Sequence, residues 1–278
     1  MFYYKNWEDF CSWVVNSGVK TCTAEESLSL DGIERKYIIL KHDIETNVSH
    51  ALKLAQIEHN NGINGTYYVQ AYLLESEENI KMLSMIRDMG HEVSYHYDVL
   101  DANNGDYAKA EKEFDKWLNL FDSLGFKFKT ICQHGNPVKK RIGYSSNRDF
   151  FRNEGIKSRH DNLVDIVVNY SEHVLDPYIY ISDAGYMWKH ITEPETNDLN
   201  PKSKIIKIGN FDNLRSYISK SECSIILSTH PHRWLESPIK IKFKIYVFRV
   251  VRSSAKILQR LPLVKTLLNK FYFLAKKI

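Results

Sequence analysis

The chain has 278 residues and is 43% apolar, enough for a large core, and its seven Pro and twelve Gly are too dispersed for long linkers or low-complexity tracts. Cys11, Cys22, Cys132 and Cys223 are far apart with no CxxC spacing, which sets aside zinc-finger and dithiol motifs and points to reduced thiols in a cytosol. The net charge of +4 hides a split: residues 239–278 hold eleven Lys/Arg and no Asp/Glu, leaving 27 basic against 34 acidic residues before them.

Lys5, Glu8 and Asp9 interrupt the N-terminal segment where an export signal needs an apolar run. No window offers the roughly 18 uncharged apolar residues of a membrane span. The expected location is therefore cytoplasmic. The first strong element is a strand over residues 37–41, YIILK, apolar enough to be buried on both faces. A helix is expected over 47–60, a strand over 65–70, and a helix over 77–89 that stops at Gly90. Further along come a strand over 92–95, a helix over 107–124 and a strand over 129–133. Later strand candidates are 164–168, 178–181, 205–208 and 224–229. Alternating βα units in this number predict a parallel sheet, barrel or doubly wound.

Polar groups follow these strands. His42 and Asp43 end the first, His96 the third and His134 the fourth, while Asp183 follows YIYIS and His230 follows CSIILST. In α/β barrels the rim built by the βα loops gathers reactive groups, so a converging polar site is the economical reading.

The segments ILKHDIE, GHEVSYHYDVL, TICQHGNP, YISDAGYMW and ILSTHPHRW, in this order, resemble the successive motifs of a NodB-like polysaccharide deacetylase (carbohydrate esterase family 4 type). The resemblance is to the branch in which an RHDVD-like sequence replaces TFDDG, and it spans roughly 70% of the chain. It implies an irregular (β/α) barrel of about seven parallel strands over residues 1–236; charge and spacing add a basic amphipathic helical tail over 237–278. It places Asp43 at the metal-binding aspartate, His42 at the catalytic base and His96 at the first metal-binding histidine. The family's second histidine falls on Leu100, a departure; His134 is the candidate replacement ligand and Asp98 a weaker one. Asp183 and Trp188 resemble the aspartate and tryptophan of the fourth motif, and His230 matches the general acid.

The implied set is chemically coherent. Two imidazoles and a carboxylate suit Zn²⁺, and also Co²⁺, Ni²⁺ or Fe²⁺. Such a cation lowers the pKa of water and polarises an amide carbonyl. The leaving nitrogen needs a proton, a task for the His230 imidazole. The base stays open between His42 and Glu45, the latter also a possible extra ligand.

In the tail, Arg249, Arg252, Lys256 and Arg260 share one helical face and Val247, Val250, Val251, Leu258 and Leu261 another. After Pro262 a second apolar stripe runs through Val264, Leu267, Leu268, Phe271, Leu274 and Ile278. Two helices packed on the barrel would look like this; so would a helix lying on an anionic membrane. No recognition motif accompanies the charge, so nucleic acid is not expected.

The expected function is removal of an N-acyl group, acetyl first, from an amino sugar in surface-polysaccharide biosynthesis. The substrate would be a nucleotide- or lipid-linked precursor or a polysaccharide, met in the cytoplasm or at the inner face of the membrane. The alternatives are a degenerate member that binds sugar without cleaving it, and a hydrolase of another non-peptide C–N bond.

Overall fold

A computed structural model of the chain describes residues 2–30, 36–136, 139–174, 176–199 and 204–258, with side chains through 250. Helix α1 (Tyr4–Ser17) leads into β1 (Lys20–Cys22) and the short α2 (Ala24–Ser27). The βα alternation then runs β2 (Tyr37–Ile44), α3 (Val48–Asn60), β3 (Thr66–Val69), α4 (Glu77–Asp88), β4 (Glu92–Tyr97), α5 (Val99–Ala102), α6 (Tyr107–Ser123) and β5 (Thr130–Gln133). After α7 (Arg148–Arg152), α8 (Glu154–Arg159) and β6 (Val164–Asp165) come three strands, β7 (Tyr178–Ser182), β8 (Trp188–Ile191) and β9 (Ile205–Gly209). Helix α9 (Phe211–Lys220), β10 (Ser224–Thr229) and α10 (Pro238–Leu258) complete the described chain.

The ten strands form one sheet ordered β6-β5-β4-β3-β2-β10-β7-β8-β9, with β1 beside β2. Eight strands from β1 to β7 and β10 pair in parallel; β8 and β9 add an antiparallel extension beyond β7. The parallel α/β architecture is as the βα alternation predicts. β1 pairs with residues 37–39 of β2 and β3 with residues 41–44, so both share one edge of that strand.

Period-two alternation sorts β2 into two sets. Ile38 and Leu40 join Trp7, Phe10, Trp188 and Trp234 in a core beneath α1 and α9. Tyr37 and Ile39 join Tyr68, Cys132, Tyr180 and Ile226 in an inner core drawn from several strands. A third core, from Val48 and Leu83 to Phe114 and Phe150, lies under α3, α4 and α6. Among the described residues no helix is long and apolar enough to cross a membrane.

The strand expected over 164–168 shortens to two residues, because the Asp165 carboxylate captures the amides of Val167 and Val168 and closes a turn. The first tail helix is present as α10, whereas the stripe from Val264 to Ile278 lies outside the described residues, as do Arg260 and Leu261.

Candidate metal and catalytic site

The inner face of β2 continues upward from Ile39 through Lys41 to Asp43, and Glu45 follows just past the strand. All three are buried. His96 projects from β4 and His134 stands just past β5, where its amide donates to the Tyr97 carbonyl at 2.7 Å. Their rings meet edge to face with centroids 5.2 Å apart. Ligand-capable atoms of Glu45, His96 and His134 lie within 4.8 Å of one another, and Asp43, His96 and Cys132 form a second group sharing His96.

The donor chemistry favours the first group. His96 Nδ1 lies 3.0 Å from the Cys132 carbonyl; a proton on that nitrogen leaves Nε2 with its lone pair, the arrangement common in metal-ligating histidines. Burial drives His96 down to about 3 against the pull of Asp43, so its imidazole is neutral. His134 Nε2 and Glu45 Oε1 stand 3.1 Å apart. Cys132, in the second group, is fully buried, and burial pushes its thiol well above the usual range.

Asp43 has another partner. Lys41, fully buried, sets its ammonium against Asp43 Oδ1. Burial alone would raise the Asp43 carboxyl; Lys41, His96 and His230 override it and hold the group down to about 2. The motif resemblance assigns Asp43 to the metal with His96 and His134 and leaves Glu45 as base or extra ligand; the structure groups Asp43 with His96, and Glu45 with both histidines.

Asp183 and His230 meet across β7 and β10. The His230 ring nitrogen Nδ1 is 2.6 Å from Asp183 Oδ1, and the His230 amide donates to Oδ2 at 3.0 Å. Arg233 also contacts Asp183, and it and His230 hold the carboxyl below its usual range despite burial. His230 Nε2 then points toward Asp43 Oδ2, 3.9 Å away. His232 packs its ring 5.8 Å from that of His230, and burial with the nearby Arg233 lowers it to about 3.

His42, expected as a base, is not in this group. It lies on the outer face of β2, 0% exposed, with Nε2 at 2.9 Å from Glu58 and Nδ1 at 2.6 Å from Thr229 Oγ1. Its ring stacks on Tyr67 at 4.3 Å. Glu58 also accepts from Trp7 and Tyr67, completing a closed polar knot under α1 and α3. Leu100, at the position of the second motif histidine, is fully buried in the core beneath α6.

Sequence reasoning passed over Lys41 and the network that holds His134. Asn147 donates to the His134 carbonyl at 2.8 Å and to Asp101 at 3.0 Å, and its own carbonyl accepts from the Asp101 amide. Arg141 grips Asp101 through two 2.8 Å hydrogen bonds. The available signal for Lys41 was its spacing: two residues before Asp43, it must share that face.

No family model matches the sequence, and no curated protein matches it. Solved structures do. A family 4 carbohydrate esterase from Streptomyces lividans, in complex with acetate, is 14% identical over 70% of this chain and 79% of that one, with TM-score 0.42. A CE4 family pseudoenzyme from Bacillus anthracis is 12% identical over 77% of this chain and 60% of that one, with TM-score 0.44. The catalytic domain of a peptidoglycan N-acetylglucosamine deacetylase from Eubacterium rectale is 14% identical over 77% and 84%, with TM-score 0.38. The solved structures that resemble this chain thus include carbohydrate esterases, a deacetylase and a pseudoenzyme.

Proposed function

We propose that this chain is a metal-dependent hydrolase that removes an N-acyl group, acetyl first, from an amino sugar. The observation that carries the reading is convergence: one carboxylate and two imidazoles able to hold a cation stand beside an ionised Asp43 and an Asp183–His230 pair.

In this reading Glu45, His96 and His134 hold a divalent cation, Zn²⁺ by the match of donors. The bound cation would acidify water and polarise the substrate carbonyl. Asp43, kept ionised by Lys41, takes the proton of the attacking water. Asp183 fixes the His230 ring through Nδ1, so that Nε2 faces the reacting centre. From Nε2 a proton passes to the amide nitrogen as the C–N bond breaks, releasing a carboxylic acid and the free amine.

The proposed substrate is a nucleotide- or lipid-linked amino-sugar precursor of a surface polysaccharide, handled in the cytoplasm or at the inner face of the membrane. Among the described residues the four cysteines, three of them buried, form no disulfide, which suits a reducing compartment. A sugar-binding role without turnover is the second reading, and Lys41 speaks for it: the ammonium already neutralises one carboxylate of the site.

Elemental analysis with an acetate-release assay on N-acetylated amino sugars tests both. The proposal expects about one Zn per chain, lost in Glu45→Gln and His134→Ala, while Asp43→Asn keeps the metal and loses turnover. Metal retained by Glu45→Gln but lost in Asp43→Asn restores Asp43 as the ligand. A protein that takes up no metal after incubation with Zn²⁺ or Co²⁺ is the binding module.

A further inference from the structure

Helix α10 has an inner and an outer apolar face. Ile241, fully buried, and Ile245 pack into the core with Trp234, and Phe248 meets Tyr186 edge to face at 5.2 Å. Lys244 donates to the His232 carbonyl at 3.0 Å. These contacts seat the helix on the loops after β7 and β10. It therefore lies beside the loops that carry Asp183 and His230.

Among the described residues nothing covers the opposite face. Ile239, Phe243, Tyr246 and Val250, spaced i, i+4, i+7 and i+11, are 77%, 69%, 66% and 45% exposed. A stripe of that spacing is one continuous line on a helix. Lys240, Lys242 and Arg249 are exposed alongside it.

From this arrangement we infer that the outer face of α10 docks on the surface of an anionic lipid bilayer, with the loops that carry Asp183 and His230 held beside the headgroups. Charge decides the occupant. A second copy of this chain packed through the same face would bring one basic α10 against another. Residues 259–278, folded back on the stripe, would bring Arg260, Lys265, Lys270, Lys276 and Lys277 against Lys240, Lys242 and Arg249 with no acid among them. Both arrangements juxtapose like charges around an apolar seam. An anionic bilayer instead offers headgroups to the lysines and an acyl boundary to Phe243 and Tyr246. The inference does not depend on the proposed hydrolysis.

The test uses the full-length chain with vesicles of phosphatidylcholine alone and of phosphatidylcholine and phosphatidylglycerol mixed about three to one. Cosedimentation is expected with the anionic vesicles and to weaken as salt rises. Lys240→Gln and Lys242→Gln should each weaken it about fivefold. The double variant Ile239→Glu/Phe243→Glu should abolish it with its circular dichroism unchanged. Equal binding to both vesicles, no binding, or variants that bind like the parent would overturn the proposal. So would a lipid-free dimer in light scattering that the double glutamate variant dissociates, since the stripe would then belong to a second copy.

Discussion

Lys41 and Asp43 lie two residues apart on the inner face of β2 and form an ion pair closed to solvent, their side chains 1% and 8% exposed. Around the pair stand Ser228 and the rings of Tyr68 and Tyr180, the latter two 5.3 and 5.9 Å from the ammonium. A buried charge with its partner removed is far costlier than a buried pair or no charges at all.

Lys41→Met should therefore destabilise the protein by about 3 to 5 kcal/mol, and Lys41→Met/Asp43→Leu by much less than the two single changes added together. Denaturant unfolding of the four proteins closes this cycle. Simple additivity would mean that the two groups do not interact across the 41–43 spacing.

His134 owes its position to a backbone contact. Asn147→Ala removes the donor to the His134 carbonyl and one of the groups satisfying Asp101. Metal affinity should fall about 10- to 100-fold, as for other losses of a group that orients a ligand. Competition with a chromogenic chelator measures it directly, and an unchanged affinity would detach this network from the site.

His42 offers the reverse case. It bridges β2 to β10 through Thr229 and to α3 through Glu58, on the face of β2 opposite Asp43. His42→Ala should cost about 2 to 4 kcal/mol of folding stability. Deacetylation by the folded fraction should stay within about threefold of the parent. A turnover loss of several orders with unchanged stability would return His42 to the chemistry.

These residues show what the sequence made legible. The strand-end carboxylates and imidazoles were readable, because a βα repeat delivers the C-terminal ends of its strands to one rim. The face of each side chain was readable too, since neighbours such as His42 and Asp43 must diverge on a strand, but the motif resemblance outweighed the alternation. The choice between Asp43 and Glu45 was not available. Asp43 lies on the inner side of β2 and Glu45 follows just past it, and the ammonium of Lys41 stands against Asp43. The β7–β8–β9 extension was partly hidden as well: residues 178–181 and 205–208 read as strands, but their antiparallel linkage through Trp188–Ile191 needs the chain to fold back.

Glu92, at the opposite end of β4 from His96, carries the last prediction. Its carboxylate is buried and accepts from Thr66 Oγ1 at 2.9 Å and the Glu25 amide at 3.0 Å, with Thr130 as a further donor. Burial wins over these donors and, with the Glu25 carboxylate adding to it, raises the group from 4.5 to about 7. A raised carboxyl binds its proton more tightly in the folded chain than in the unfolded one. Its contribution to stability is thus full below about pH 4.5 and is lost as pH rises through about 7, amounting to up to about 3 kcal/mol. Glu92→Gln cannot titrate. The stability difference between variant and parent should therefore shift in the variant's favour across pH 4.5 to 7 and level off above it, as read from denaturant midpoints at fixed ionic strength. A difference that stays flat across that window would mean that the donors, not burial, set the charge of Glu92.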